Sequence, residues 1–142
     1  IISSGFCMPH SPRIYMNKLW VLDSGQGQLK FVDPKDGKQT VVVEFPGYLR
    51  GLAFFQNYAF VGLCKIREKK TFGGLPVEKK YKDLPCAIHI INLSSGKTEG
   101  FIEFKKGIEE IFDLQILPGV RNPEIVGFEE DTIKGLFILP PA

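Results

Sequence analysis

Two arginines, a histidine and four carboxylates carry the chemistry this 142-residue sequence could perform: Arg13, Arg50, His10, Asp23, Glu109, Glu110 and Asp113. Arginine presents a planar fork that grips carboxylate or phosphate, so Arg13 and Arg50 would suit an anionic small-molecule or protein ligand. Carboxylates with an imidazole suit a divalent metal ion, so Glu109, Asp23 and His10 could surround one in a metal-dependent hydrolase. A third reading needs no ligand: Arg50 and the glutamates pair with one another and order the fold. The other combinations are weaker. His10 and Ser11 are adjacent, and neighbouring strand residues point to opposite faces, which argues against a nucleophile–base pair. His89 alternates with Ile88 and Ile90 and reads as a strand residue with a local partner. Gly25-Gln26-Gly27 lacks the third glycine and the following helix of a dinucleotide loop. Cys7, Cys64 and Cys86 are too widely spaced for a zinc site or a disulfide framework, and they read as reduced residues of a cytoplasmic protein.

These residues can meet only if the fold gathers them, and the apolar pattern says how. Its period is two almost everywhere. Strands are expected at Leu19–Leu22, Gln28–Val32, Gln39–Phe45, Leu52–Phe55, Tyr58–Gly62, Ala87–Ile91 and Gly100–Phe104, with no helix. Turn signals separate them: Met16-Asn17, Ser24-Gly25-Gln26-Gly27, Asp33-Pro34-Lys35-Asp36-Gly37, Gln56-Asn57 and Ser94-Ser95-Gly96. Between Ile108 and Leu117 the spacing fits a helix or a strand.

The order of these signals repeats. Arg13 to Leu22 reads strand, Asn-centred turn, strand, and Ala53 to Gly62 repeats it 40 residues on. Val32-Asp33-Pro34-Lys35-Asp36-Gly37-Lys38 matches Ile91-Asn92-Leu93-Ser94-Ser95-Gly96-Lys97 at an offset of 59, so the second unit carries an insertion. A weaker third copy starts at Phe112–Leu117, resumes at Glu124–Phe128 and ends with Ile133–Leu139. The expected fold is an all-β, β-propeller-type domain of about three four-stranded blades, with units at about 13–47, 48–106 and 107–139. Chance recurrence of hairpins within a sandwich is the alternative. Rings close with about four to eight blades. The chain is therefore expected either to belong to a longer propeller or to pair head-to-tail as a homodimer of six blades, with residues 1–7 as a closing strand. The first strand of each blade would line a central channel and bring the seven residues named above to its rim.

Composition sets outer bounds. Eighteen basic residues against 16 acidic leave a charge of +2, and 44% of residues are apolar, as in ordinary globular proteins. No apolar run approaches the roughly 18 residues that cross a bilayer, and no secretory leader is visible. Lys65 to Asp83 holds seven basic and three acidic residues, while Glu103 to Lys134 holds four basic and eight acidic. That polarity favours head-to-tail pairing. With only Phe72 and Tyr81 available for stacking, a nucleic-acid partner is not expected.

Several motifs resemble a bacterial family of uncharacterised proteins, a domain of unknown function sometimes described as tetratricopeptide-repeat-associated. They include Pro9-His10-Ser11-Pro12-Arg13, Leu19-Trp20-Val21-Leu22-Asp23-Ser24-Gly25, Arg50-Gly51-Leu52-Ala53-Phe54, Phe60-Val61-Gly62-Leu63, Ile66-Arg67-Glu68, Phe72-Gly73-Gly74-Leu75-Pro76, Ile111-Phe112-Asp113 and Leu117-Pro118-Gly119-Val120. The resemblance runs in order over nearly the whole chain. It implies a propeller-like fold and a cytoplasmic bacterial origin, and no established reaction. Family members carry further sequence on the N-terminal side.

Overall fold

A computed structural model describes residues 1–66 and 74–121, together with Pro123, Gly127, Asp131 and Lys134. Alternating β-branched and aromatic residues build two four-stranded antiparallel sheets. The first is β1 (Pro9–Tyr15), β2 (Lys18–Asp23), β3 (Gln28–Val32) and β4 (Gln39–Glu44), in that order. The second is β5 (Tyr48–Phe55), β6 (Tyr58–Cys64), β7 (Ala87–Asn92) and β8 (Lys97–Glu103). Every connection within a sheet is between sequence neighbours, so each sheet is a meander.

The two sheets repeat each other in detail. Met16 and Asn17 both have positive φ (48° and 56°), as a type I′ hairpin loop requires, and Gln56-Asn57 turns the chain at the equivalent place with positive φ at Gln56 (51°). In the turn after β3, Gly37 N–H donates to the Asp33 carbonyl at 2.8 Å; after β7, Gly96 N–H donates to the Asn92 carbonyl at 2.8 Å. The Asp33 and Asn92 side chains each accept from the backbone two residues on, at 2.8 and 2.9 Å. The first strands bulge at equivalent places, between His10 and Arg13 and between Leu49 and Leu52. Outer strands β4 and β8 each hold one extra residue, Val42 and Glu99, and such bulges twist sheet edges away from stray pairing.

An apolar interior fills the space between the sheets. Trp20, Leu22 and Leu29 pack against Leu52, Val61 and Leu63, and Phe45 sits among them at 1% exposure. Burying a side chain of this size stabilises the fold by about 1.5–3 kcal/mol. The second sheet is covered on its other face too. There Cys64 and Cys86 pack with Ile111, flanked by Tyr48, Ile88, Phe104 and Leu114. The first sheet's other face receives the N-terminal segment. Cys7 N–H donates to Asp23 at 2.8 Å, and Lys30 lies 5.5 Å from the Phe6 ring centre.

Two expectations need correction. A short helix, α1 (Pro76–Lys80), stands in the insertion, started by Pro76 and by Glu78, whose carboxylate takes the Gly74 and Leu75 N–H groups. Five residues are too few to show a helical apolar period, so the sequence hides it. Residues 107–121 form neither the helix nor the strand that their spacing allows. One backbone bond, Lys65 N–H to Glu109 O at 3.0 Å, joins them to the end of β6; beyond it the Cys64 thiol, not a ladder, satisfies Ile111. Most of what remains of the expected third unit, 124–126, 128, 133 and 135–139 included, lies outside the described residues. So do Arg67, Lys69, Lys70 and Phe72 of the insertion.

Candidate functional site

β1, β5 and the segment 107–114 lie side by side, with β5 in the middle. The bulges make this contact close. Ser11 and Gly51 occupy equivalent bulge positions, and both have positive φ (49° and 83°). Gly51 N–H donates to the Ser11 hydroxyl at 3.2 Å. On the other side a Cβ at Gly51 would stand 3.1 Å from Asp113 Cα, against backbone that cannot rotate away. Glycine is therefore required here twice, for its conformation and for the room it leaves.

This packing aligns three ion pairs, each taking its acid from the third segment and its cation from a different element. Arg13 of β1 meets both Asp113 oxygens at 3.2 and 3.3 Å. Arg50 of β5 meets Glu110 at 2.5 Å, and its guanidinium also lies 4.6 Å from the centre of the Phe112 ring. Lys65, just past β6, meets Glu109 at 3.4 Å. Arg50 and Glu110 are the most shielded, at 26% and 33% exposure, and Lys65 and Glu109 the least, at 43% and 54%. Pairs this exposed contribute about 0–1 kcal/mol each, so they steer the segment into place rather than hold it there.

His10 stands beside this row. Its Nδ1 lies 3.0 Å from the Met8 carbonyl, 3.0 Å from the Ser24 hydroxyl and 3.4 Å from the Tyr48 hydroxyl. The Tyr48 ring meets the imidazole edge-on at 5.6 Å. Burial pushes the Tyr48 phenol above its ordinary pKa, so it stays protonated and able to donate. All three polar contacts fall on one ring nitrogen, which fixes the imidazole plane.

Of the seven residues nominated from sequence, five therefore form this row, Arg13, Arg50, Glu109, Glu110 and Asp113, and His10 stands beside it. Asp23 does not. It is 1% exposed on the opposite face of β2, where it accepts from Lys30 Nζ at 2.6 Å and from Cys7 N–H. It pins the N-terminal segment to the first sheet. Strand parity explains the difference, because His10 pairs with Leu22, whose side chain joins the apolar interior, while Asp23 is one step out of phase. The metal-ion grouping of Glu109, Asp23 and His10 is consequently dispersed onto Lys65, Lys30 and Ser24. Among the described residues no group of three or more His, Cys, Asp or Glu side chains is placed to hold a metal ion.

Ser24, Tyr48 and Lys65 belong to the site and escaped the sequence reading. Ser24 was legible only as part of a turn, and its link to His10 needs the β1–β2 register. Residues Gly107, Ile108, Glu109, Glu110 and Phe112 line an open groove of about 410 Å³ along the outer side of the row. A second open pocket, of about 580 Å³, lies at the foot of the insertion between Lys65, Tyr81, Lys82 and Glu103. No helix among the described residues is long and apolar enough to cross a membrane.

Residues 1–126 match the family model of a domain of unknown function, DUF4915. No curated protein is significantly similar to the chain.

Proposed function

The chain belongs to the DUF4915 family, a domain of unknown function, and we propose that it is a β-propeller-type binding or scaffold module with its ligand site at the channel rim. The observation that carries this reading is the position of β5, which touches Ser11 of β1 through Gly51 N–H and Asp113 of the third segment through Gly51 Cα. A two-layer sandwich covers one face of each sheet. Here the second sheet is covered on both faces, as a blade between two neighbours would be. The repeated meander and the repeated first-strand bulge support the same arrangement. Remaining blades come, in this reading, from a second copy placed head-to-tail. Three free cysteines favour a reducing bacterial cytoplasm.

The ligand that fits the row is a small carboxylate or phosphate. It would exchange with Asp113 or Glu110 for the forks of Arg13 and Arg50, whose existing pairs are weak enough to be displaced. Thermal-shift titrations of the full chain with a panel of mono- and dicarboxylates and phosphate esters test this. At least one member is expected to raise the melting temperature in a saturable manner, and Arg50→Ala and Arg13→Ala are expected to abolish that rise. A flat response across the panel, or a rise that survives both substitutions, would overturn the reading.

A further inference from the structure

The second unit differs from the first by its insertion, and the chain leaves and rejoins the sheet through two cysteines. β6 ends at Cys64, and β7 begins one residue after Cys86. The β6–β7 register runs from Tyr58 opposite Asn92 to Leu63 opposite Ala87, and its next step sets Cys64 opposite Cys86. Directly opposed residues of an antiparallel pair have Cα atoms about 4.5–5.5 Å apart, within the span a disulfide bridges. Both thiols are free, both are 1% exposed, and both belong to the same buried cluster on the same face of the sheet.

Cys64 has a second task. Its Sγ accepts from Ile111 N–H at 3.1 Å and its S–H donates to the Ile111 carbonyl at 3.3 Å. This thiol is thus the clamp that seats the segment bearing Glu109, Glu110 and Asp113. We propose that Cys64 and Cys86 form a redox-sensitive pair at the neck of the insertion, whose oxidation to a disulfide staples the insertion and releases the clamp on Ile111. The oxidant is a small-molecule disulfide. One cysteine thiolate attacks it, forming a mixed disulfide and expelling one thiol. The second thiolate then attacks the protein sulfur and expels the other thiol. The chain loses two hydrogens and the oxidant becomes two thiols. A disulfide sulfur carries no hydrogen and is drawn toward Cys86, so the Ile111 carbonyl loses its donor and the Ile111 N–H loses its acceptor. The segment is left to the Lys65–Glu109 backbone bond, the Ile111 and Leu114 side chains and the three weak ion pairs. In the closed native state the exchange is slow, because both sulfurs are buried.

The inference rests on the packing of this segment and not on any ligand, so it stands or falls separately from the rim site. The test uses the full chain carrying Cys7→Ser, which removes the half-buried third thiol. The protein is refolded from urea in a glutathione–glutathione disulfide buffer, so that slow access to the native thiols does not limit the result. Mass spectrometry of unreduced peptides is expected to show the Cys64–Cys86 link, two hydrogens lighter than the thiol pair, in refolded monomer with native circular dichroism. Amide exchange at Ile111 is expected to quicken by about tenfold or more on oxidation, while Leu22 and Leu29 in the first sheet keep their protection. Refolded monomer that stays fully reduced in an oxidising buffer would overturn the pairing. So would a linked chain without native circular dichroism. A linked, native chain with unchanged Ile111 exchange would overturn the release of the clamp.

Discussion

Replacing Ile111 by alanine removes the most deeply buried apolar side chain that anchors the third segment to the second sheet. Ile111 is 8% exposed and packs with Cys64 and Cys86 beneath Tyr48 and Leu114. The change deletes three carbons. At about 0.8 kcal/mol for each buried carbon the transfer loss alone is about 2.4 kcal/mol. The cavity left behind adds little, because the segment's other side is open: Phe112 next to it is 77% exposed, so the backbone can settle inward. The expected cost is therefore about 2–3 kcal/mol, at the low end for buried isoleucine. Phe112→Ala is the control. It removes a larger side chain and one contact with the Arg50 guanidinium, and its expected cost is below about 1 kcal/mol. Urea unfolding followed by circular dichroism measures both. If Ile111→Ala costs no more than Phe112→Ala, the segment is not seated on Cys64, and the alignment of the three ion pairs loses its support.

Asp23→Ala leaves Lys30, 9% exposed, without its carboxylate; it is expected to cost about 3 kcal/mol or more, and Lys30→Met in the same background is expected to recover part of the loss by calorimetry. Burial holds the His89 imidazole below its ordinary pKa of 6.5, between the rings of Phe45 and Phe101. The unfolded chain then binds the proton first, so stability is complete above about pH 6.5 and falls as the pH drops toward the lowered folded value; His89→Phe is expected to flatten that slope in urea midpoints measured between pH 7 and 5. Burial also pushes the Cys64 thiol up to about 11. At pH 8 about one in a thousand of these groups is thiolate, so iodoacetamide is expected to label Cys7 first and Cys64 only in denaturant, as read by intact mass.

Much of the architecture was legible in the residues. Alternation located β2, β3, β4, β6 and β7, and the paired turn motifs at Asp33 and Asn92 announced the repeat that their matching hydrogen bonds confirm. The row of charges was legible because His10, Arg13 and Arg50 belong to first strands of equivalent units. Asp23 was misplaced by treating the end of a strand as a rim, although its parity with Val21 already put it opposite Leu22. The partners Ser24 and Lys65 were not legible, since each contact depends on register or on where a loop returns. Segment 107–114 was ambiguous for a physical reason: a thiol replaces the backbone ladder that would have imposed a period.

The central claim is that three chain segments far apart in sequence run side by side with β5 between the others. Gly51 carries no side chain, so the α proton in the Cβ direction faces the Asp113 backbone directly, a Cβ there standing 3.1 Å from Asp113 Cα. A nuclear Overhauser spectrum of the labelled full chain reads this contact. A strong cross-peak between the Gly51 and Asp113 α protons is predicted, and its absence in a folded sample with both resonances assigned would contradict the account.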